Sequence, residues 1–208
     1  MAKLIVCEHP LIQEKLAGLR DKHTRPEEFR QMMEEAGALI GYEALRELPT
    51  RKTQVQTPLK TAQAEFLEQP VTFVAVLRAG LGLLPGLLRL VPEAGVGHIG
   101  LYRNEKTLSP VRYYVRLPRN IGDSFVVVCD PMLATGGSAV EAINILKTDG
   151  ARRLALVTLL ASRAGVKRVH EAHPGVPIYT AAVDAQLNKA GYIVPGLGDA
   201  GDRLFATS

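Results

Sequence analysis

Residues 125 to 139 read FVVVCDPMLATGGSA, and the reading of this stretch decides the fold. Phe125 to Cys129 form an unbroken apolar, mostly β-branched run, the pattern of a strand covered on both faces. One carboxylate, Asp130, ends the run. Thr135-Gly136-Gly137-Ser138 then leads into an apolar-periodic segment, which predicts a helix over residues 137 to 148. A buried strand that passes through a small-residue turn into a helix is half of a parallel β–α unit.

The turn also carries chemistry. Glycines let backbone N–H groups approach an anion with no side chain in the way. A helix start adds oriented donors and a partial positive charge. The hydroxyls of Thr135 and Ser138 can donate as well. Such a loop suits a phosphate. Asp130 would repel a phosphate, but it suits sugar hydroxyls or a cation beside them. Acid and loop together match a sugar phosphate, with hydroxyls at one end and a 5′-phosphate at the other. A purely structural reading also fits: a strand-end Asp closing a turn, with glycines serving only that turn. Two nucleotide motifs do not fit. No Lys follows the glycine run, as a P-loop needs, and Gly80, Gly82 and Gly86 miss the dinucleotide spacing by one residue.

Outward from this stretch the same grammar repeats. VTFVAVL (71–77) predicts a buried strand, LGLLPGLLRL (81–90) a helix and VGHIGLY (96–102) a strand. VRYYVRL (111–117) alternates, like one arm of a partly exposed hairpin. RLALVTLLA (153–161) predicts a strand, 163 to 171 a helix, and PIYTAAVD (177–184) a last strand. Strands alternating with helices predict an α/β fold, a mostly parallel central sheet with helices on both faces. Towards the N-terminus, residues 11 to 19 predict a short helix. A longer helix begins at Pro26, with Thr24 as its cap and Glu27 and Glu28 in its first turn. KTQVQTPL (52–59) predicts a short strand outside the main layer, and residues 60 to 68 a helix. Residues 1–69 and 185–208 are expected to form a small hood over a core of about 70–184.

Ligands in such sheets bind beyond the carboxyl ends of the strands. Three unusual segments follow strand ends there. In LRAGLGLLPG (77–86), Arg78 closes a strand and the compact Ala79-Gly80 turn can offer backbone N–H groups to an anion. An Arg paired with a surface acid is the plain alternative. The second segment is the opening stretch. The third, GYIVPGLGDAGDR (191–203), has four glycines and only Asp199 and Asp202 as acids. Its backbone can read a flat heterocycle with alternating C=O and N–H, with Tyr192 and Pro195 as flat apolar surfaces. A tight surface turn would look the same.

Composition narrows the classes. At 208 residues, 47% hydrophobic and 22% charged, the chain suits one globular domain. No apolar run approaches the ~18 residues of a membrane span. MAKLIVCEHP is too weakly charged and too briefly apolar for a secretory signal. Cys7 and Cys129 make neither a disulfide framework nor a metal spacing, so a cytoplasmic setting is expected. Cys129 is expected to pack as a small apolar residue. His170 and His173 are expected at the surface of a helix end. The net charge is +4, and the excess lies beyond residue 70. Between 101 and 120 five basic residues face one acid, Glu105, a field that suits polyphosphate or nucleic acid. Aromatics at 5% and no Trp argue against a single-strand RNA reader, which stacks bases on aromatic rings.

Taken together, these motifs resemble the uracil phosphoribosyltransferases of the type I phosphoribosyltransferase family. VVVCDPMLATGGSA is similar to the family's phosphoribosyl pyrophosphate loop, and LRAGLGLLPG to its pyrophosphate loop. GYIVPGLGDAGDR resembles the uracil-binding segment, and GLYRNEKTLSPVRYY (100–114) the β-arm that closes over the site. The resemblance covers essentially the whole chain as one domain, 1–208. It implies conversion of uracil and 5-phospho-α-D-ribose 1-diphosphate (PRPP) to UMP and diphosphate, in pyrimidine salvage. Other branches of the superfamily carry two adjacent acids on the ribose hydroxyls. Here Pro131 follows Asp130, as in the uracil branch, which moves weight onto Asp199.

Roles carried over by the resemblance are these. Asp130, Arg103 and Asp199 would be catalytic. Arg78, Ala79, Gly80 and Arg103 would bind pyrophosphate. Asp130, Pro131, Met132 and Leu133, then Ala134, Thr135, Gly136, Gly137 and Ser138, would hold the ribose phosphate, with Asp199 touching it. Tyr192, Ile193, Gly198, Asp199 and Ala200 would frame uracil. Mg²⁺ would arrive on the substrate rather than in a protein cage. A homodimer or higher homo-oligomer is implied. GTP is an effector in some relatives, and no stretch of this sequence marks its site. The rival readings are a phosphoribosyltransferase for another base, and an RNA-binding regulator of pyrimidine genes on the same fold.

Overall fold

The computed structural model describes residues 3–103 and 110–207, with the Arg103 side chain outside the description. In chain order the elements are β1 (Leu4–Val6), α1 (Pro10–Arg20), α2 (Pro26–Ala44), β2 (Thr50–Gln56), β3 (Thr61–Leu67) and β4 (Val71–Leu77). A 3₁₀ turn (Ala79–Gly82) leads to α3 (Leu84–Leu90), β5 (Gly95–Arg103) and β6 (Pro110–Arg116). Then come β7 (Phe125–Cys129), β8 (Met132–Leu133), α4 (Gly137–Thr148), β9 (Arg153–Val157), β10 (Leu160–Ser162) and α5 (Arg163–Ala172). The chain ends with β11 (Ile178–Thr180), β12 (Ala182–Asp184), β13 (Gln186–Leu187), β14 (Ile193–Val194) and α6 (Ala200–Phe205).

Seven strands form the main sheet in the order β1-β11-β9-β7-β4-β5-β6, parallel throughout except for β6 against β5. Side-chain alternation sorts the apolar runs onto two faces. Phe73, Ala75, Val127, Cys129, Ala155 and Val157 face α1, α2, α3 and α6. Val74, Val76, Val126, Val128, Leu154 and Leu156 face α4 and α5. Both sets are buried, which is why these strands read as continuous apolar runs rather than as alternation. From β4 the chain winds outward to β5 and β6, then returns to place β7 on the other side of β4. The crevice between β4 and β7 is therefore the topological switch point, where open α/β sheets bind ligands.

Several expectations are corrected. Residues 60 to 68 are a strand, not a helix. Ala, Gln, Glu and Leu favour a helix, but β3 pairs with β2 over seven residue pairs, and Thr57 and Lys60 close the turn between them. Tertiary pairing overrides that weak propensity. The runs 153–161 and 177–184 each break into two strands. The Thr158 and Thr180 hydroxyls take up carbonyls at the two breaks, from Leu160 and from Leu159 and Ala182. The second halves, β10 and β12, leave the main sheet and join β8 in a separate parallel sheet. β1, which the sequence reading did not identify, lies at the edge of the main sheet. Thr24 does not cap α2; its hydroxyl donates to the Gly18 carbonyl at 2.6 Å, and Arg25 occupies the cap. His173 is buried, with Nδ1 3.1 Å from Lys147 Nζ, and burial lowers its pKa.

Candidate active site

The two loops at the switch point are built by their strands. At the end of β4, Arg78 turns the chain into Ala79-Gly80. Gly80 must be glycine, because a Cβ there would collide with the Cys129 carbonyl oxygen. The first loop is thereby pressed against the end of β7, where Asp130 emerges. Arg78 does not point freely to solvent. Its Nη2 donates to Asp202 Oδ1 at 2.9 Å and its guanidinium lies 5.8 Å from the centre of the Phe205 ring. The plain alternative, an Arg paired with an acid, is thus realised, and the acid belongs to α6. The pair is half exposed, so solvent screens it and it adds little to stability.

Asp130 is the unusual group. Among the described residues no cation pairs with it, and its only hydrogen bond is a long one, 3.5 Å, from the Met132 N–H. Asp130 is half-buried, and desolvation by the surrounding loop ends pushes its carboxyl up to about 7, with the Met132 N–H offsetting only part of that. Pro131 and Leu133 are buried, so they can meet a ligand only through backbone. The Pro131 carbonyl accepts from the Leu159 and Leu160 N–H groups at 3.0 Å, which moors the second sheet to the loop. Gly136, at φ 77°, is the N-cap of α4 and offers no side chain to the first-turn amides. Those amides stay available to an anion. Ser138 is exposed and Thr135 half-buried.

The third loop is shaped by its backbone. β13 and β14 form a two-stranded hairpin, and Gly196 and Gly198 take positive φ at 62° and 83°. Asp184 fixes the loop: it accepts the Gly196 N–H at 3.0 Å and two bonds from Arg20, at 2.7 and 2.8 Å. Arg20 Nη1 also donates to the Gly196 carbonyl at 2.9 Å. Asp199 caps α6 by accepting the Asp202 N–H at 3.0 Å.

All three loops meet at one cavity of about 360 Å³. Ala79 comes from the first loop, Met132 and Ala134 from the second, and Tyr192, Ile193, Gly198, Asp199 and Ala200 from the third. Every residue carried over for uracil lines it. Pro195 does not; it faces the far side of the loop, beside Arg20 and Lys22. Arg78, Asp130 and Thr135 to Ser138 do not line this cavity either. The Arg103 side chain and residues 104–109 of the basic arm lie outside the described residues. Sequence reading missed Arg20 and Asp184. They are separated by 164 positions, and no local pattern marks either. Both cysteines are free and buried, and burial raises the Cys7 thiol to about 11 and the Cys129 thiol further.

An α/β sheet with its site at this switch point is the architecture of a type I phosphoribosyltransferase. The fold superposes on a hypoxanthine-guanine phosphoribosyltransferase from Bacillus anthracis with a TM-score of 0.53 over 76% of this chain and 80% of that one, at 14% identity. More narrowly, the uracil phosphoribosyltransferase family model matches residues 6–207, and the chain belongs to that family. It is 53% identical to the uracil phosphoribosyltransferase of Clostridium kluyveri over the full length of both chains. It also matches the solved structure of the AQ2163 protein from Aquifex aeolicus, at TM-score 0.94 and 40% identity over 99% of each chain.

Proposed function

We infer that this protein is a pentosyltransferase that joins uracil to the phosphoribosyl group of PRPP, giving UMP and diphosphate. The observation that carries the reading is the cavity to which all three strand-end loops contribute, Ala79 from the first, Met132 and Ala134 from the loop that also holds Asp130 and the start of α4, and a glycine-shaped backbone from the third. The α4 amides with Thr135 and Ser138 hold the 5′-phosphate. Asp130 accepts the ribose hydroxyls. Arg78, Ala79, Gly80 and Arg103 hold the pyrophosphate. Ile193, Gly198 and Ala200 present backbone groups to uracil beside Tyr192, and Asp199 touches the donor.

The chemistry calls for no covalent nucleophile. As pyrophosphate departs, positive character grows on the ribose ring, and uracil N1 must be held in line behind it. Arg78 and Arg103 stabilise the leaving charge, and the negative end of Asp130 faces the ribose. Exclusion of water from the site suppresses hydrolysis of the donor. A lone desolvated carboxylate fits magnesium carried by the donor, since Mg²⁺ keeps several waters and takes few carboxylates. When bound with the donor, the ion would offset charge on the pyrophosphate, and Asp130 is the carboxylate that could help hold it.

The working form is a homodimer or higher homo-oligomer in the cytoplasm. The β2–β3 ribbon supports the first point: its strands pack chiefly on each other and only sparsely on other elements among the described residues, and Leu59 and Phe66 are exposed on it. A lone two-stranded ribbon is marginal in water. Two free, buried cysteines support the second. Pyrophosphate release from PRPP with each free base tests the function. Release with uracil and not with hypoxanthine, adenine or cytosine is expected. No uracil-dependent release at any magnesium concentration would overturn it.

A further inference from the structure

Arg168 stands over the phosphate loop with no acid to hold it there. It is exposed, and among the described residues no carboxylate lies within ion-pair distance. Among the described residues its one polar contact is a long bond, 3.5 Å, from Nη1 to the Thr135 carbonyl oxygen. Its Nη1 and the Thr135 hydroxyl oxygen flank the space in front of Gly137, at 3.6 and 3.8 Å from where a Cβ would stand. Gly137 leaves that space open, at the uncapped start of α4.

The placement is enforced rather than incidental. Ser162, the N-cap of α5, donates to the Ala134 carbonyl at 2.5 Å and accepts the Gly165 N–H at 2.9 Å. Gly165 lies so close that a Cβ there would stand 2.5 Å from the Ala134 carbonyl oxygen and 2.6 Å from that of Leu133. Gly136 also meets α5 closely, 2.9 Å from a built Cβ to the Gly165 carbonyl oxygen. Helix α5 is thus locked to the loop, and Arg168 sits one turn beyond Gly165 on it.

We propose that Arg168 binds the 5′-phosphate of the donor, its guanidinium joining the α4 amides and the Thr135 hydroxyl around the space in front of Gly137. The proposal rests on the sugar-phosphate reading of this loop. Guanidinium and phosphate are matched in charge and in planar, two-pronged geometry. The ligand class is a phosphate monoester on a pentose.

The test is calorimetric binding of ribose 5-phosphate and of inorganic pyrophosphate, each with Mg²⁺, to wild type, Arg168→Ala and Arg168→Lys. Arg168→Ala should weaken ribose 5-phosphate about tenfold, leave pyrophosphate unchanged, and raise the donor KM at constant kcat. Arg168→Lys should recover part of the loss, because it restores the charge but not the fork. Unchanged ribose 5-phosphate affinity in Arg168→Ala would overturn the proposal. So would equal weakening of both ligands with a lower melting temperature, since Arg168 would then only brace the loop. A wild type that binds no ribose 5-phosphate would instead overturn the sugar-phosphate reading itself, and the proposal with it.

Discussion

Asp184 and Asp130 each stand at or just past the carboxyl end of a strand, on the same side of the molecule. Asp184, at the end of β12, has everything a buried carboxylate needs: two bonds from Arg20 and the Gly196 N–H. Arg20 first of all holds its pKa below 3.8. Asp130, beyond β7, has among the described residues one long bond from the Met132 N–H, and a carboxyl pushed up to about 7. One acid is satisfied within the fold and shapes the base loop. The other has no cation partner among the described residues. A desolvated acid with no internal partner marks a binding site more sharply than its residue type does.

The comparison can be broken at either acid. Asp130→Asn should lower kcat/KM about 10³-fold with the fold intact, because the neutral amide no longer offsets charge on the ribose side. Steady-state pyrophosphate release and a melting curve read both halves of that statement. Asp184→Ala should instead cost about 3 kcal/mol in stability, because it strands the Arg20 guanidinium and frees the Gly196 turn. Denaturant unfolding reads the cost, and weaker uracil binding should accompany it. Gly80→Ala should cost about 2 kcal/mol, since the new methyl group meets the Cys129 carbonyl and the first loop must move.

The smallest effect is the most discriminating in sign. Asp184 has a depressed pKa, so its stabilisation is present above pH 3.8 and is lost as pH falls through the folded value. Asp130 has a raised one. Its ionisation in the fold is unfavourable, so its destabilisation grows as pH rises from 3.8 towards about 7 and is complete above that. Asp130→Asn should therefore melt higher than wild type at pH 8, and the gain should vanish by pH 4. Thermal scans at the two pH values check it.

Much of this was legible in the sequence because the relevant signals are local. FVVVC and VTFVAVL are long enough and apolar enough to be buried strands, and Gly136-Gly137 after Asp130 marks a turn into a helix. The three loops could be predicted to share the carboxyl edge because parallel crossovers leave them nowhere else. What the sequence did not show depends on contacts between distant residues. TAQAEFL favours a helix until β2 pairs with it. RLALVTLLA looks continuous until the Thr158 hydroxyl takes up the Leu160 carbonyl. Arg20 and Arg168 are ordinary helix residues until the fold sets one on Asp184 and the other over Gly137.

The central claim is that Asp130, with no cation partner among the described residues and with its carboxyl pKa raised by desolvation, is held for the sugar donor. Calorimetry of PRPP binding with Mg²⁺ at pH 7, in buffers of different ionisation enthalpy, measures it directly. Wild type should release more protons on binding than Asp130→Asn, because ribose hydroxyls and the donor's cation favour the ionised carboxylate. Equal proton release from the two proteins would contradict the claim.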